Sequence, residues 1–199
     1  MRVRLMAACC VVGMSSLVAM GQMGASSAKG PEAGTVATPA ATVDSELGMI
    51  EHEMMGAVKA MPAEKFGFAP SAAIFAPSQT TEFATVRTFA QQATHVAQAN
   101  YFFYMTISGL KPDVDVRGIG KLTAKDDVVG ALAASFAFGH KAIATLTPEN
   151  AFEVVKISEP GLQTKSTLAT FAVSHCFDHY GQMVEYLRMN GIVPPASAK

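Results

Sequence analysis

The sequence predicts an all-α fold, most simply a four-helix bundle, on three observations. Four long segments repeat apolar residues every three or four positions, which is the period of an amphipathic helix. No stretch combines strict apolar–polar alternation with enrichment in β-branched side chains, the pattern of a half-buried strand. Half of the 199 residues are hydrophobic and only 16% are charged, so the chain can bury a substantial core.

The N-terminal residues 1–28 have the three parts of a signal peptide. Arg2 and Arg4 give a positive start, an apolar run follows, and Ser26-Ser27-Ala28 supplies small residues at a cleavage site. The apolar run is shorter than the ~20 residues that a membrane-spanning helix needs, which favours cleavage over a retained anchor. We therefore expect an exported protein, periplasmic or extracellular, with no stable membrane span after cleavage. Residues 29–42, rich in Ala, Gly, Pro and Thr, are predicted to be a flexible leader.

The first helix is predicted to begin at Asp44 or Ser45, whose side chains can cap the first backbone amides, and to end before Pro62. Its apolar stripe consists of Leu47, Ile50, Met54, Val58 and Met61. Residues 63–82 contain several prolines but also apolar side chains that water would not favour. They are predicted to be an ordered crossover that packs against the bundle.

Three further helices are predicted, over residues 85–109, 125–146 and 166–190. Each carries an apolar stripe, and glycine or proline follows each helix end. The connections at 111–124 and 148–165 are rich in turn-forming residues.

Three histidines on two of these helices form a candidate metal site. His175 and His179 are four residues apart, which places them on one helical face, rotated by about 40°. Two neutral imidazoles at this spacing can bind one divalent ion. His95, in the middle of the second helix and beside small residues, is the best candidate for a third ligand. A single helical histidine is more often an ordinary core or surface residue, so that interpretation stays open on the pattern alone.

Three polar residues near these histidines are candidates for a supporting role. Asp178 points about 100° away from His179, so it is expected either to orient a histidine of another helix or to be a solvated surface charge. Gln182 lies one turn beyond the pair and is expected to face the pocket. Asn100 is unfavourable in the middle of a helix, which indicates that the structure uses it for a purpose.

The remaining cysteine and histidines have ordinary interpretations. Cys176 is predicted to be a small buried residue and not a nucleophile. After signal cleavage it is the only cysteine, so the fold cannot depend on an internal disulfide. His140 lies on an apolar stripe and is predicted to be a core histidine, and His52 is predicted to be at the surface.

Four stretches resemble proteins of the DinB/YfiT type. The first two are the His175-x-x-x-His179-Tyr180-Gly181-Gln182 motif and the segment 186–195 that follows it. The others are the loop 61–70 and the segment from Arg87-Thr88-Phe89 to Asn100-Tyr101, which contains His95. The resemblance covers residues 43–195 and leaves 196–199 as a tail. It implies an up-down-down-up four-helix bundle and a divalent ion, Zn or Ni, held by the three histidines, although three nitrogen ligands alone also suit Cu or Fe.

The resemblance also implies a class of function. Family members of known activity are metal-dependent, and several are similar to transferases that use a cytoplasmic thiol. A signal peptide would remove this chain from such thiols, so we expect an exported metal-dependent hydrolase or transferase acting on an unknown small molecule.

Two alternatives remain open: a metal-binding or stress-response module without turnover, in which His140 could close the coordination, and a structural bundle without metal. Homodimers are common in the family. Nucleic acid is a poor candidate for a partner, because the net charge is −1 and no basic block is present.

Overall fold

The computed structural model describes residues 32–71, 76, 78–80, 82, 85–157 and 163–198. The predicted signal peptide, residues 1–28, lies outside the described residues. All the helices described below belong to one compact unit, Val36–Lys199. In the described part of the chain they are α1 (Pro39–Ala60), α2 (Phe89–Ser108), the short α3 (Val116–Ile119), α4 (Lys125–Ile143) and α5 (Lys165–Met189).

The start of α1 differs from the prediction. Neither Asp44 nor Ser45 caps the helix: Thr38 is the cap, and its hydroxyl accepts a hydrogen bond from the Ala41 amide at 3.1 Å. Pro39 occupies the first helical position, where its missing N–H costs no helical hydrogen bond. Residues 39–42, predicted to belong to a flexible leader, are therefore the first turn of α1. The predicted apolar stripe of this helix is confirmed, since all five of its side chains are fully buried.

The start of α2 differs from the prediction in the opposite direction, since this helix begins later than predicted, at Phe89. Thr85 has φ of +70°, which is outside the helical region, and Thr88 caps the helix instead. The Thr88 hydroxyl accepts from the Gln91 amide while the Gln91 side chain accepts from the Thr88 amide, a complete capping box. The predicted stop at Gly109 is confirmed, because this residue has the left-handed φ of 73° that ends helices.

The described part of the predicted crossover is ordered. Phe66 is buried against Phe89, with ring centroids 5.4 Å apart. The carbonyls of Phe68 and Phe66 accept hydrogen bonds from the amides of Phe89 and Ala90, which satisfies donors at the start of α2. Residues 72–75, 77 and 81 of the crossover lie outside the described residues.

Contacts near the helix ends show which helices run in opposite directions. The Lys125 ammonium at the start of α4 donates to the Met61 carbonyl just beyond the end of α1, at 2.8 Å. The Tyr186 hydroxyl near the end of α5 donates to the Arg87 carbonyl just before α2, at 3.0 Å. Therefore α4 is antiparallel to α1, and α5 is antiparallel to α2.

Two contacts along α2 and α4 complete the topology. Asn100 donates to Ser135 at 3.1 Å, and Tyr104 packs on Gly139, so the two helices run in the same direction. Both α1 and α2 pack against α4 and α5. The result is the predicted up-down-down-up bundle. Within the described residues, no helix is long and apolar enough to cross a membrane.

Candidate metal centre

The antiparallel pair α2 and α5 brings the three predicted histidines together. The Nε2 atom of His175 lies 3.2 Å from Nε2 of His95 and 3.2 Å from Nε2 of His179. The ring centroids of His95 and His179 are 4.7 Å apart, so each histidine of the trio lies next to the other two. Three ring nitrogens from two helices thus point to one spot.

The spacing of these nitrogens fits a single divalent ion. Zn–N bonds of about 2.0–2.1 Å in tetrahedral geometry separate two nitrogen ligands by about 3.3 Å. The two observed Nε2 separations of 3.2 Å are close to this value, and one ligand atom from each histidine lies within 4.8 Å of the others. The trio could therefore hold a metal ion.

A chain of hydrogen bonds fixes the orientation of His179. Its Nδ1 lies 2.6 Å from Oε1 of Gln92, whose Nε2 donates to Oε1 of Gln182 at 2.8 Å. The Gln182 amide in turn donates to the Asp178 carboxylate at 3.2 Å. A carboxylate can only accept, so every donor in the chain is determined and Nδ1 of His179 must carry a proton. In the neutral ring this leaves the lone pair on Nε2, facing the trio.

His175 is held by packing. The rings of Phe103 and Phe171 lie against it, with centroids 5.6 and 6.4 Å from the imidazole. Its Nδ1 is buried and has no hydrogen-bond partner within the described residues. The aromatic rings limit the rotation of the His175 imidazole, and its Nε2 lies close to the Nε2 atoms of His95 and His179.

The electrostatic environment keeps the histidines neutral. Burial, followed by the charges of Arg87 and His179, lowers the pKa of His95 to about 4. Burial, with the neighbouring His179 and His95, also lowers the pKa of His175 to about 4. Burial lowers the pKa of His179 as well. At neutral pH all three rings therefore keep the lone pair that a metal ligand needs.

A solvent-open cleft of about 560 Å³ lies on the α2 side of the trio and reaches His95. His95 forms part of its wall, together with the polar side chains of Arg87, Gln91, Thr94 and Gln98. A small molecule in this cleft would therefore contact His95, the one histidine of the trio that lines it.

The three supporting candidates have different positions. Asp178 and Gln182 take part in the chain that leads to His179, and Asp178 acts on the histidine through two glutamines and not by direct contact. Asn100 is fully buried, donates to Ser135 and accepts from the Cys176 thiol at 3.3 Å. Asn100 therefore joins α2, α4 and α5 and has no hydrogen bond to the histidines.

Gln92 is the supporting residue that sequence reasoning missed. It lies three residues before His95, one helical turn away, and it is almost fully buried. The signal available in the sequence was a glutamine one helical turn before a predicted ligand. Its acceptor role for His179 depends on how α5 packs on α2.

The other titratable predictions divide into confirmed and wrong. Cys176 is buried as predicted, and burial raises the pKa of its thiol to about 12. His52 is exposed as predicted. The prediction of a core His140 is wrong: the ring is partly exposed and lies between Asp44, at 2.6 Å from Nδ1, and Glu51, at 2.9 Å from Nε2. Both its nitrogens are occupied there, so His140 is not a fourth ligand.

Comparison with known proteins shows which family and which solved structure the chain is similar to. Residues 47–183 match the family model described as the DinB superfamily. The fold is similar to the crystal structure of a DinB-like protein from Bacillus cereus ATCC 10987, with a TM-score of 0.62. The two chains are 13% identical over 77% of this chain and 93% of that chain, so the likeness concerns the fold alone. A search of curated proteins gives no match.

Proposed function

The chain belongs to the DinB superfamily, and we propose that it is an exported metalloprotein that binds one Zn or Ni ion through His95, His175 and His179. We further propose that it uses this ion as a hydrolase or transferase on a small molecule. The observation that carries the proposal is the convergence of three Nε2 atoms, with two separations of 3.2 Å, beside an open cleft.

Each residue of the centre has a defined task in this proposal. The three imidazoles supply the ligands, Gln92 holds His179 in the tautomer that presents Nε2, and Phe103 packs against His175. A divalent ion held by these three imidazoles would supply Lewis-acid chemistry, polarising a substrate oxygen and lowering the pKa of water. The cleft beside His95 admits the substrate.

The cleft also limits the reaction class. None of the described residues that line it carries a carboxylate, so no side chain there is an obvious general base. A transferase whose second substrate brings its own nucleophile therefore fits the site as well as a hydrolase. Export, if the signal peptide is cleaved, would separate the protein from cytoplasmic thiols.

The test of catalysis is whether a coordination position can exchange. Cobalt-substituted protein comprising residues 29–199 should change its visible absorption when azide is added, because azide would enter the open position. His179→Ala should lose this change together with the metal. A cobalt-loaded wild type that shows no spectral change with azide or a small thiol would contradict the catalytic proposal.

A metal-binding or stress-response module without turnover is the second candidate. The absence of a carboxylate among the described cleft residues favours it. This candidate predicts closed coordination and an unchanged cobalt spectrum in the same experiment. Because His140 is engaged by Asp44 and Glu51, another group would have to close the site.

Export and dimerisation belong to the same proposal. Export rests on the pattern of residues 1–28, and a homodimer rests on what is common in the family. N-terminal sequencing of the protein expressed with its leader should begin at Lys29, and light scattering of the purified chain should give twice the monomer mass. An intact Met1 terminus in the cytoplasm, or a monomer mass at high concentration, would contradict these two parts.

A further inference from the structure

Arg87 places a positive charge near one end of the histidine trio. Arg87 lines the same cleft as His95, and its guanidinium has no carboxylate partner within the described residues. Its backbone is fixed by the hydrogen bond from Tyr186 to its carbonyl. Arg87 and His95 therefore line the same cleft, which places a positive charge beside the proposed metal ligand.

The opposite end of the trio is apolar. Phe103 and Phe171 pack edge to face with centroids 5.4 Å apart, and both lie against the His175 ring. The seam between α2 and α5 therefore runs from a cation, past three neutral imidazoles, to an aromatic pair. An anionic group of a ligand is favoured at the Arg87 end of this seam over the aromatic end.

Resting on the metal site proposed above, we propose that the substrate is a small organic anion whose oxyanion group, a carboxylate or a phosphate, binds Arg87. The planar guanidinium presents paired N–H donors that match two oxygens of either group. Gln91, Thr94 and Gln98 add polar side chains to the same wall of the cleft. Arg87 thus orients the substrate with its reacting part toward the histidines, and a neutral substrate would leave the cation without a partner.

The test uses three probes of similar size: acetate, inorganic phosphate and the neutral acetamide. Titrations of ¹⁵N-labelled protein, zinc-loaded and metal-free, should show shifts at the Arg87 side chain and at the cleft amides with acetate or phosphate. The preferred anion tells which oxyanion group the substrate carries. Acetamide should bind at least about tenfold more weakly, because a hydrogen bond to a charged group contributes more than ~1.4 kcal/mol.

The Arg87→Gln variant isolates the guanidinium. We expect its affinity for the preferred anion to fall by at least about tenfold, because the variant loses the hydrogen bond from a charged donor. Lys141→Gln removes one exposed positive charge from α4, away from the cleft, and should bind the anion as the wild type does. Anion binding that survives in Arg87→Gln, equal shifts with acetamide, or no shifts in the cleft would each overturn the proposal.

The design separates this proposal from the metal proposal. Metal content is measured on the same samples, and a wild type that holds no zinc would refute metal binding only. The dependence of anion binding on Arg87 is then decided by the metal-free titration, where the same loss in Arg87→Gln is expected.

Discussion

Gln92→Leu tests whether the hydrogen-bond chain supports the metal ligands. Gln92 is 2% exposed, and its carbonyl oxygen accepts from Nδ1 of His179 at 2.6 Å. Leucine removes that acceptor, so the ring loses its fixed tautomer and orientation. Loss of such a partner weakens metal affinity about 10- to 100-fold, which corresponds to ~1.4–2.7 kcal/mol. The metal-free protein should also lose ~1–3 kcal/mol of stability, because a buried N–H is left unsatisfied.

The assay is competition for zinc with a chromogenic chelator, combined with urea unfolding. Gln98→Leu is the matched control, since Gln98 lies on the same helix but donates to the Val116 carbonyl at 2.9 Å and not to a histidine. It should keep the wild-type zinc affinity. Gln182→Leu should have a smaller effect than Gln92→Leu, because Gln92 still accepts from His179. A zinc affinity of Gln92→Leu equal to that of Gln98→Leu would refute the reasoning.

Three further predictions concern the rest of the bundle. Gly139→Ala should lower stability by about 1 kcal/mol in urea unfolding, because overpacking by a Cβ 2.7 Å from the Tyr104 ring outweighs the better helix propensity of alanine. His140→Gln should cost more stability at pH 6 than at pH 9. Burial lowers the His140 pKa, but Asp44 and Glu51 raise it by more, so the pKa is higher in the folded than in the unfolded protein. The stabilisation is therefore complete below the unfolded pKa and is lost as pH rises through the folded pKa. Native Cys176 should resist iodoacetamide in a mass-spectrometric assay and react only in denaturant, because it is fully buried with a pKa of about 12.

For each of these three predictions, a specific result would contradict the physical argument behind it. Gly130→Ala is the control for Gly139, since nothing lies within 4 Å of its added Cβ, and it should stabilise the same helix. Equal effects of the two alanines would contradict the packing argument. A His140→Gln effect that is the same at both pH values, or that grows with pH, would contradict the ion-pair argument. Rapid alkylation of folded protein would show that Cys176 is accessible.

Local sequence patterns were sufficient to predict features that lie within a single helix. The i, i+4 spacing of His175 and His179 places both on one face of any helix that contains them. His95 was chosen for its mid-helix position beside small residues, and the family resemblance supported that choice. The fully buried stripe of α1 follows from its period in the same way. The start of α1 was missed because Asp44 is also a good cap, and Thr38 followed by Pro39 stands in a segment whose composition indicates a linker.

The residue roles that were predicted wrongly or missed depend on contacts between helices. His140 lies on the apolar stripe of α4, and only the packing of α1 brings Asp44 and Glu51 to its two nitrogens. The role of Gln92 arises because α5 runs antiparallel to α2 and places His179 beside it. Asn100 was predicted to have a purpose, but its partners Ser135 and Cys176 come from two other helices.

The most direct test of the central claim is the metal content of untagged protein comprising residues 29–199. Wild type, His175→Ala and the exposed-site control His52→Ala would be purified alike, reconstituted with Zn or Ni, and analysed by elemental mass spectrometry. The account predicts about one ion per chain in the wild type and in His52→Ala, as expected for a single three-histidine site, and none in His175→Ala. A wild type without metal after reconstitution, or a His175→Ala variant that keeps it, would contradict the account.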